Sequence, residues 1–234
     1  MTSVLRTPKP MEVDMHARYR FFVLALLLGL SLPASARHHG HGPKPSDQTG
    51  VFDYYLLSLS WSPTYCQSHS GDTSQCGLKH FGFVLHGLWP QYTAGGYPQN
   101  CTTSQTLTSD AIAFANTIYP SPKLVDHEWS RHGTCSGLDA LSYFKAADQA
   151  RNGIKVPDAF VQPAQPVSMA ASDIAAAFRA ANPTMQPNGL AVACSGPELA
   201  EVRICLNRDL TPVACGKGVS NSCRSGPIRV PSVR

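Results

Sequence analysis

Short apolar runs in the first third of the chain predict two β-strands. VFDYYLLSLS, residues 51–60, combines aromatic and aliphatic residues in partial alternation and is ended by Pro63, which indicates a buried strand. HFGFVLHGLWP, residues 80–90, has a similar character, with His86 near its end and Pro90 as its expected stop. We therefore expect the domain to begin with two strands, separated by a loop between cysteines.

Helical signals mark three stretches in the middle of the chain, AIAFANTIY, LDALSYFKAADQA and SDIAAAFRAA. The second has apolar residues at helical spacing, and prolines follow the first and the third. The expected N-caps are Ser109 and Asp110 for the first helix and Ser168 or Ser172 for the third. Strand patterns return in LAVACS and AEVRICLN, so the order of elements predicts an α+β fold with a mainly antiparallel β-sheet.

The N-terminal segment has the composition of a secretory signal. FFVLALLLGLSL follows basic residues and precedes Ala34-Ser35-Ala36, which predicts cleavage after Ala36 and a start at Met15. This run is well short of the roughly 20 residues that span a bilayer, and no other run is longer, so we expect no membrane contact in the mature form. The expected organisation is a signal segment at 1–36, a flexible His/Gly/Pro leader at 37–50, a single domain at 51–223 and a C-terminal tail at 224–234.

Cysteine usage agrees with export. All eight cysteines follow the predicted cleavage site, their number is even, and no CxxC pair occurs. Four disulfides are therefore expected in preference to zinc ligation, although spacing alone cannot fix the pairing. The cysteines are Cys66, Cys76, Cys101, Cys135, Cys194, Cys205, Cys215 and Cys223.

Net charge excludes one way of binding nucleic acid. The chain has 19 basic and 15 acidic residues, and removal of residues 1–36 takes away four and two of these, which leaves a net charge of +2. Tight binding through a long-range field needs clustered Lys and Arg. Any phosphate chemistry must therefore depend on a few well-placed groups.

The segment HEWSRHGTC crowds two histidines, a carboxylate and a guanidinium into six positions. On a helical turn His127, Glu128, Arg131 and His132 lie on one side, because i and i+4 residues are neighbours. Trp129 points elsewhere and is free to pack as an anchor. A solvated surface turn is the usual interpretation of such a run, but the tryptophan and the nearby candidate disulfide argue against it.

A metal site at this turn is not favoured. Zinc proteases use H-E-x-x-H, whose histidines stand at i and i+4. Here His127 and His132 stand at i and i+5 and are splayed on the helix, and Arg131 would repel a cation. We therefore expect no metal and no other cofactor.

The segment FVLHGLWPQY is apolar except for His86, on what is expected to be a buried strand. A lone histidine on a buried strand is more often a satisfied core residue, but the following Gly-Leu-Trp-Pro, a rigid turn with a large aromatic face, favours function. A bond between Cys101 and Cys135 would bring this segment face to face with HEWSRHGTC.

Two imidazoles, a carboxylate and a guanidinium suit one reaction that needs neither metal nor nucleophilic side chain. RNA carries its own nucleophile, the 2′-hydroxyl, so one histidine can accept its proton while another protonates the leaving 5′-oxygen. The guanidinium and a protonated histidine would stabilise the more negative pentacoordinate species.

The segments FVLHGLWPQY (83–92) and DHEWSRHGTCSG (126–137) resemble the two signature segments of the ribonuclease T2 family of secreted, acid-tolerant ribonucleases. The similarity extends from YYLLSLSWSPTYC to VRICLNRDLTPVAC. It implies an α+β fold with helices packed on an antiparallel sheet, and assigns residues 51–223 to a ribonuclease catalytic domain. It also implies a secreted or periplasmic monomer that acts on single-stranded RNA without an obligate protein partner.

The resemblance implies roles by position. His86 would be the general acid and His132 the general base, His127 would hold the phosphate, and Glu128 and Arg131 would stabilise the pentacoordinate species. Arg131 stands where the family usually has Lys, which keeps the charge but changes the donor geometry. The implied disulfides are Cys66–Cys76, Cys101–Cys135, Cys194–Cys223 and Cys205–Cys215.

The substrate-binding residues implied by the resemblance are Trp89 and Tyr97, which would line the principal base pocket, together with Gln91. Family members often have an acidic residue at the position of Gln91, so base preference stays open. The alternatives are a non-catalytic secreted RNA-binding or signalling protein on the same scaffold and a metal-dependent phosphodiesterase. The terminus Arg37-His38-His39 could bind Cu²⁺ or Ni²⁺, although a solvated leader is the simpler interpretation.

Overall fold

The computed structural model describes residues 48–233. The predicted signal segment, most of the leader and the terminus considered for copper or nickel lie outside these residues. Among residues 48–233, none of the helices combines the length and apolar character needed to cross a membrane. The elements are β1 (Tyr54–Trp61), α1 (Ser62–Ser68), α2 (Thr73–Cys76), β2 (Phe83–Gln91), α3 (Ser109–Ile118), α4 (Lys123–Arg131), α5 (Ala140–Asn152), β3 (Val167–Ala170), α6 (Ala171–Ala181), β4 (Leu190–Ser195), β5 (Glu198–Leu206) and β6 (Pro227–Val230), with short 3₁₀ turns at Gly133–Cys135 and Asp158–Phe160.

The six strands form one mixed sheet that is mainly antiparallel. Its order is β2-β1-β5-β6-β3, and β4 also pairs with β5. All pairings are antiparallel except the contact between β5 and β6, which is parallel. This arrangement confirms the α+β prediction.

Successive side chains of β1 point to opposite faces of the sheet. Leu57, Leu59 and Trp61 belong to the main core, whereas Tyr54 and Leu56 belong to a smaller cluster on the opposite side. The main core also contains buried side chains of α3, α4, α5 and α6. Each fully buried large apolar side chain contributes about 1.5–3 kcal/mol, so this face fixes the helices on the sheet and leaves the other free for the site.

The prediction that Pro90 stops the second strand was wrong. β2 continues to Gln91, and Pro90 pairs with Tyr55 of β1. The strand lies at the edge of the sheet, so it has a neighbour on one side only. A proline lacks an N–H donor and is tolerated at such an edge.

Two predicted helix caps were also wrong. Ser109 and Asp110 are the first residues of α3, whose cap is Thr108, and Thr108 Oγ1 accepts a hydrogen bond from the Ala111 amide at 3.3 Å. The third predicted helix, α6, has no side-chain cap, because its N-cap residue is Ala170, the last residue of β3, whose side chain has no acceptor. The expected caps Ser168 and Ser172 lie in that strand and inside the helix, respectively.

Residues 224–234, expected to form a C-terminal tail, contain β6, which pairs with β3 and contacts β5. Ile228 and Val230 are buried in the main core. The backbone oxygen of Pro231 accepts a hydrogen bond from Trp61 Nε1 at 3.0 Å. The domain therefore extends beyond its predicted end at 223.

All eight cysteines are paired, in the pairs that the family resemblance implies. Cys101–Cys135 joins the loop after β2 to the turn after α4, so it ties the second signature segment to the loop that follows the first. Disulfides of this kind typically stabilise a fold by about 2–4 kcal/mol each.

Candidate active site

The end of α4 positions four of the predicted site residues. His127, Glu128 and Arg131 lie in the last turns of the helix, and His132 follows as its C-cap with φ −121° and ψ −46°. Trp129 is buried and packs against Tyr143, with ring centroids 6.0 Å apart. The predicted helical turn and its tryptophan anchor are therefore present, but the last histidine leaves the helical path.

His86 is placed by a β-bulge in β2. Gly87 pairs with Ser58 and Leu85 pairs with Leu59, so His86 is the extra residue between two consecutive residues of β1. A bulge bends the strand and redirects the side chain of the inserted residue. His86 is consequently a half-exposed side chain on a strand whose neighbours Leu85 and Leu88 are buried.

Gly87 allows the two segments to approach closely. Trp89 Nε1 donates a hydrogen bond of 2.8 Å to Glu128 Oε2, which connects β2 to α4. A Cβ atom at position 87 would overlap both Glu128 Oε2 and Trp89 Nε1. The glycine is thus required by a packed polar contact and not by backbone conformation.

The aromatic residues of the site contact His132. The Trp89 ring stacks on it with centroids 5.1 Å apart and an interplanar angle of 27°, and the Tyr97 centroid lies 6.1 Å away. Arg131 Nη2 donates to Tyr97 Oη at 3.4 Å. His127 lies on another side of His132, at 6.2 Å between centroids.

A cavity of about 440 Å³ brings the predicted site residues together. Seven of the eight predicted catalytic and substrate-binding residues line it, and the eighth, Glu128, is fully buried behind them. The lining residues among these are His86, Trp89, Gln91, Tyr97, His127, Arg131 and His132. Additional walls come from Arg203 of β5 and from Lys217, in the loop between Cys215 and Cys223.

The two histidines differ in protonation. Burial alone would lower the pKa of His86, but the hydrogen bond with Glu201 and the charges of Glu201 and Glu128 outweigh it, so the pKa is raised. Burial, followed by the charges of Arg131, His127 and His86, lowers the pKa of His132 to about 3. His86 therefore keeps its proton to a higher pH than a free imidazole does, whereas His132 is neutral near neutral pH.

Glu128 is an unusual carboxyl group. Its burial raises its pKa to about 7, and the hydrogen bond from Trp89 and the charge of His86 only partly oppose this rise. Its Oε1 atom lies 3.9 Å from His86 Nε2 and has no hydrogen-bond partner. The group is consequently protonated in mildly acidic solution and can then donate a hydrogen bond.

The turn places three potential metal ligands together. The ligand atoms of His127, Glu128 and His132 lie within 4.8 Å of one another. The prediction that the side chains of His127 and His132 point apart was therefore wrong, because His132 departs from helical dihedral angles. Arg131 adjoins this group, and metal independence stays a prediction.

Glu201 and Arg203 of β5 are two further residues at the site, and neither was predicted from the sequence. Glu201 Oε1 accepts a 2.7 Å hydrogen bond from His86 Nδ1, and Arg203 contacts the other carboxylate oxygen. The signal was present in AEVRICLN, where two opposite charges occupy alternate positions of an otherwise apolar strand. Residues i and i+2 of a strand share a face, so the side chains of Glu201 and Arg203 lie on the same face of the sheet.

Fold and site together define a disulfide-linked α+β protein in which two histidines with oppositely displaced pKa values line one cavity. Residues 52–215 match the model of the Ribonuclease T2 family, and the chain belongs to this family. A ribonuclease of Aeromonas hydrophila is 41% identical over 128 residues, which cover 55% of this chain and 57% of that protein. The chain spans about half the length of several such curated relatives.

Solved structures show the same fold. An RNase-related protein from Calystegia sepium has a TM-score of 0.65 at 21% identity, and the match covers 79% of this chain and 99% of that chain. A mutant of RNase MC1 in complex with 5′-GMP has a TM-score of 0.59 at 26% identity, over 74% of this chain and 98% of that one.

Proposed function

We propose that this protein is a secreted, metal-independent endoribonuclease that cleaves single-stranded RNA. It would form 2′,3′-cyclic phosphates by attack of the 2′-hydroxyl and then open some of them to 3′-phosphates. The observation that supports this most directly is the opposite displacement of the pKa values of His86 and His132 at one cavity. Pairs of groups whose environments separate their pKa values mark the acid and the base of a site.

In this mechanism His132 accepts the proton of the 2′-hydroxyl while His86 donates a proton to the leaving 5′-oxygen. His132 is a weak base in the free protein because burial, followed by the charges of Arg131 and His127, holds its pKa down. A bound phosphate would neutralise part of that positive charge and raise the pKa of His132 toward the range in which it accepts protons efficiently. Substrate binding would thus switch the base on.

Phosphate binding is proposed for Arg131 and His127, which line the cavity together with His132. Glu128, buried behind the cavity wall, would stabilise the pentacoordinate species in its neutral, protonated form, since a carboxylate there would repel the increasingly negative phosphorus centre. This role favours activity at mildly acidic pH, where Glu128 is protonated.

Base binding is proposed for Trp89, Tyr97 and Gln91. The two aromatic rings flank His132 beside the cavity, and stacking of a base on an aromatic ring contributes about 1–3 kcal/mol. An amide such as Gln91 can both donate and accept hydrogen bonds, so the base it prefers has to be measured. The 5′-GMP complex of the RNase MC1 mutant supports a nucleotide site on this fold.

The test uses purified protein and RNA at pH 5–7 in EDTA, with the products analysed for cyclic ends. Cleavage of RNA, but not of DNA, which lacks the 2′-hydroxyl, is expected. His86→Ala and His132→Ala should each lose about 10²–10⁴-fold in kcat. RNA that stays intact in EDTA and is cut after metal addition would favour a metal-dependent enzyme that uses the His127, Glu128 and His132 cluster.

The alternative of a non-catalytic RNA-binding or signalling protein is not favoured, because the histidines, Glu128 and a cavity beside them are all present. Export is proposed from the N-terminal segment and predicts a secreted or periplasmic product whose first residue is Arg37. N-terminal sequencing of the exported protein tests that boundary. We also propose that the protein acts as a monomer, which its sedimentation behaviour would reveal.

A further inference from the structure

Three adjacent strands place a polar cluster behind His86. Glu201 of β5 pairs with Ser60 of β1, and Arg203 pairs with Ser58 two residues further along β5. On the other side of β1, the bulge in β2 puts His86 near Ser60. Glu201 is mostly buried, with 13% of its side chain exposed, so it is a carboxylate held within the sheet surface.

The two oxygens of Glu201 have separate partners. Oε1 accepts from His86 Nδ1 at 2.7 Å and from Ser60 Oγ at 3.3 Å. Oε2 accepts from Arg203 Nε at 2.8 Å and lies 2.7 Å from Arg203 Nη2. Arg203 therefore fixes the carboxylate in a plane that leaves Oε1 directed at the histidine. Such charge-assisted bonds are about twice as strong as neutral ones.

We propose that Glu201, held by Arg203 and Ser60, is a positioning residue that binds the Nδ1–H of His86 and keeps the transferable proton on Nε2. With Nδ1 committed to Glu201, Nε2 is the nitrogen left for the leaving oxygen of a substrate in the cavity that His86 lines. A hydrogen bond to one ring nitrogen determines which tautomer a histidine adopts. The inference rests on the proposed ribonuclease function.

Charged groups around His86 come from two elements. β5 contributes Glu201 and Arg203, and α4 contributes Glu128 together with the two other histidines of the site. The carboxylates favour the protonated imidazole and Arg203 opposes it. Removal of Glu201 and removal of Arg203 should therefore shift the titration of His86 in opposite directions.

The experiment compares Glu201→Gln and Arg203→Gln with the wild type. In Glu201→Gln the pKa of His86, followed by NMR of its ring protons, should fall, and the alkaline limb of the kcat profile should move to lower pH. At neutral pH kcat should drop at least tenfold, yet by less than the ~10²–10⁴-fold expected for loss of the acid itself, with KM unchanged. Arg203→Gln should move the same limb to higher pH.

Glu198→Gln is the matched control. Glu198 also lies on β5, is buried to a similar degree and forms a 2.7 Å ion pair with Arg229, but it contacts none of the site residues. This variant should leave the pH profile unchanged, although it removes a comparable carboxylate. Equal effects of the Glu198 and Glu201 variants would overturn the proposal.

A uniform loss of kcat in Glu201→Gln, with unchanged His86 titration, would also overturn the positioning role and leave only a structural one. If Glu201→Gln does not fold, the test uses Arg203→Gln alone, for which the alkaline limb of the kcat profile should move to higher pH. A limb that stays in place or moves to lower pH would refute the proposal. The NMR titration requires no turnover. A fall in the pKa of His86 in a protein that does not cleave RNA would support the contact and refute the ribonuclease function alone.

Discussion

Glu128 should make the stability of the protein depend on pH in a way that one substitution can isolate. The group is fully buried, and burial raises its pKa from the ordinary 4.5 to about 7. A carboxyl group whose pKa is higher in the folded state binds its proton more tightly there. Its contribution to stability is therefore complete below pH 4.5 and is lost as pH rises through 7.

The magnitude follows from the size of the shift. One pKa unit corresponds to about 1.4 kcal/mol, so a rise from 4.5 to about 7 amounts to roughly 3 kcal/mol. Glu128→Gln keeps the shape of the side chain and cannot ionise. Between pH 4.5 and 7 the wild type should consequently lose about 3 kcal/mol of unfolding free energy relative to the variant.

Urea unfolding of both proteins at pH 4 to 8 measures this difference, with equal m-values required in the two series. Subtracting the unfolding free energy of the variant from that of the wild type at each pH removes the contributions of groups that titrate in both proteins. Stability of the wild type that stays level or rises with pH relative to Glu128→Gln would refute the reasoning. It would mean that the ionised Glu128, paired with His86, is the favoured folded form.

Two further predictions concern the contact between β2 and α4. Gly87→Ala should destabilise the fold by about 1–3 kcal/mol, because the added Cβ overpacks the contact. It should also lower kcat by about 100-fold, since a displacement of ~1 Å at a site has effects of that size. The control is Gly71→Ala, where no atom lies within 4 Å of the added Cβ, and it should change neither quantity. Equal behaviour of the two variants in unfolding and kinetic assays would contradict this. Trp89→Phe keeps an aromatic ring next to His132 but removes the donor to Glu128, so the pKa of Glu128 should rise further and the pH at which the unfolding curve levels should move upward. An unchanged levelling point would show that the hydrogen bond has no influence on the carboxyl group.

Much of the site could be predicted because its chemistry is local in sequence. His127 to His132 lie within one helical end, and the aromatic residues that contact them lie on the strand of His86 or just after it. The disulfide Cys101–Cys135 then connects the two segments. Within α4, residue type and spacing are sufficient, since helical geometry converts spacing directly into proximity. The position of His132, which leaves the helical path, could not be predicted in this way.

The partners on β5 could not be predicted in the same way. Glu201 is 115 residues from His86 and reaches it only through the register of β1 with two neighbours and through a bulge. A shift of one residue in that register would move Glu201 to the opposite face of the sheet. β3 and β6 were missed for a related reason, because four-residue strands carry too little alternation to indicate pairing.

The difference between the two histidines can be traced to their places in the fold. His132 follows a helix C-terminus, where the dipole of α4 favours a positive charge, yet burial and the neighbouring Arg131 and His127 lower its pKa to about 3. His86 lies on the edge strand β2, where the bulge brings it to the carboxylate of Glu201 on β5, two strands away. Strand register therefore supplies the proposed acid, His86, with its counter-charge, and the helix end supplies the proposed base, His132, with its neighbouring cations. Exchange of the acid and base roles would require both environments to change, so we expect no single substitution outside the two histidines to reverse them.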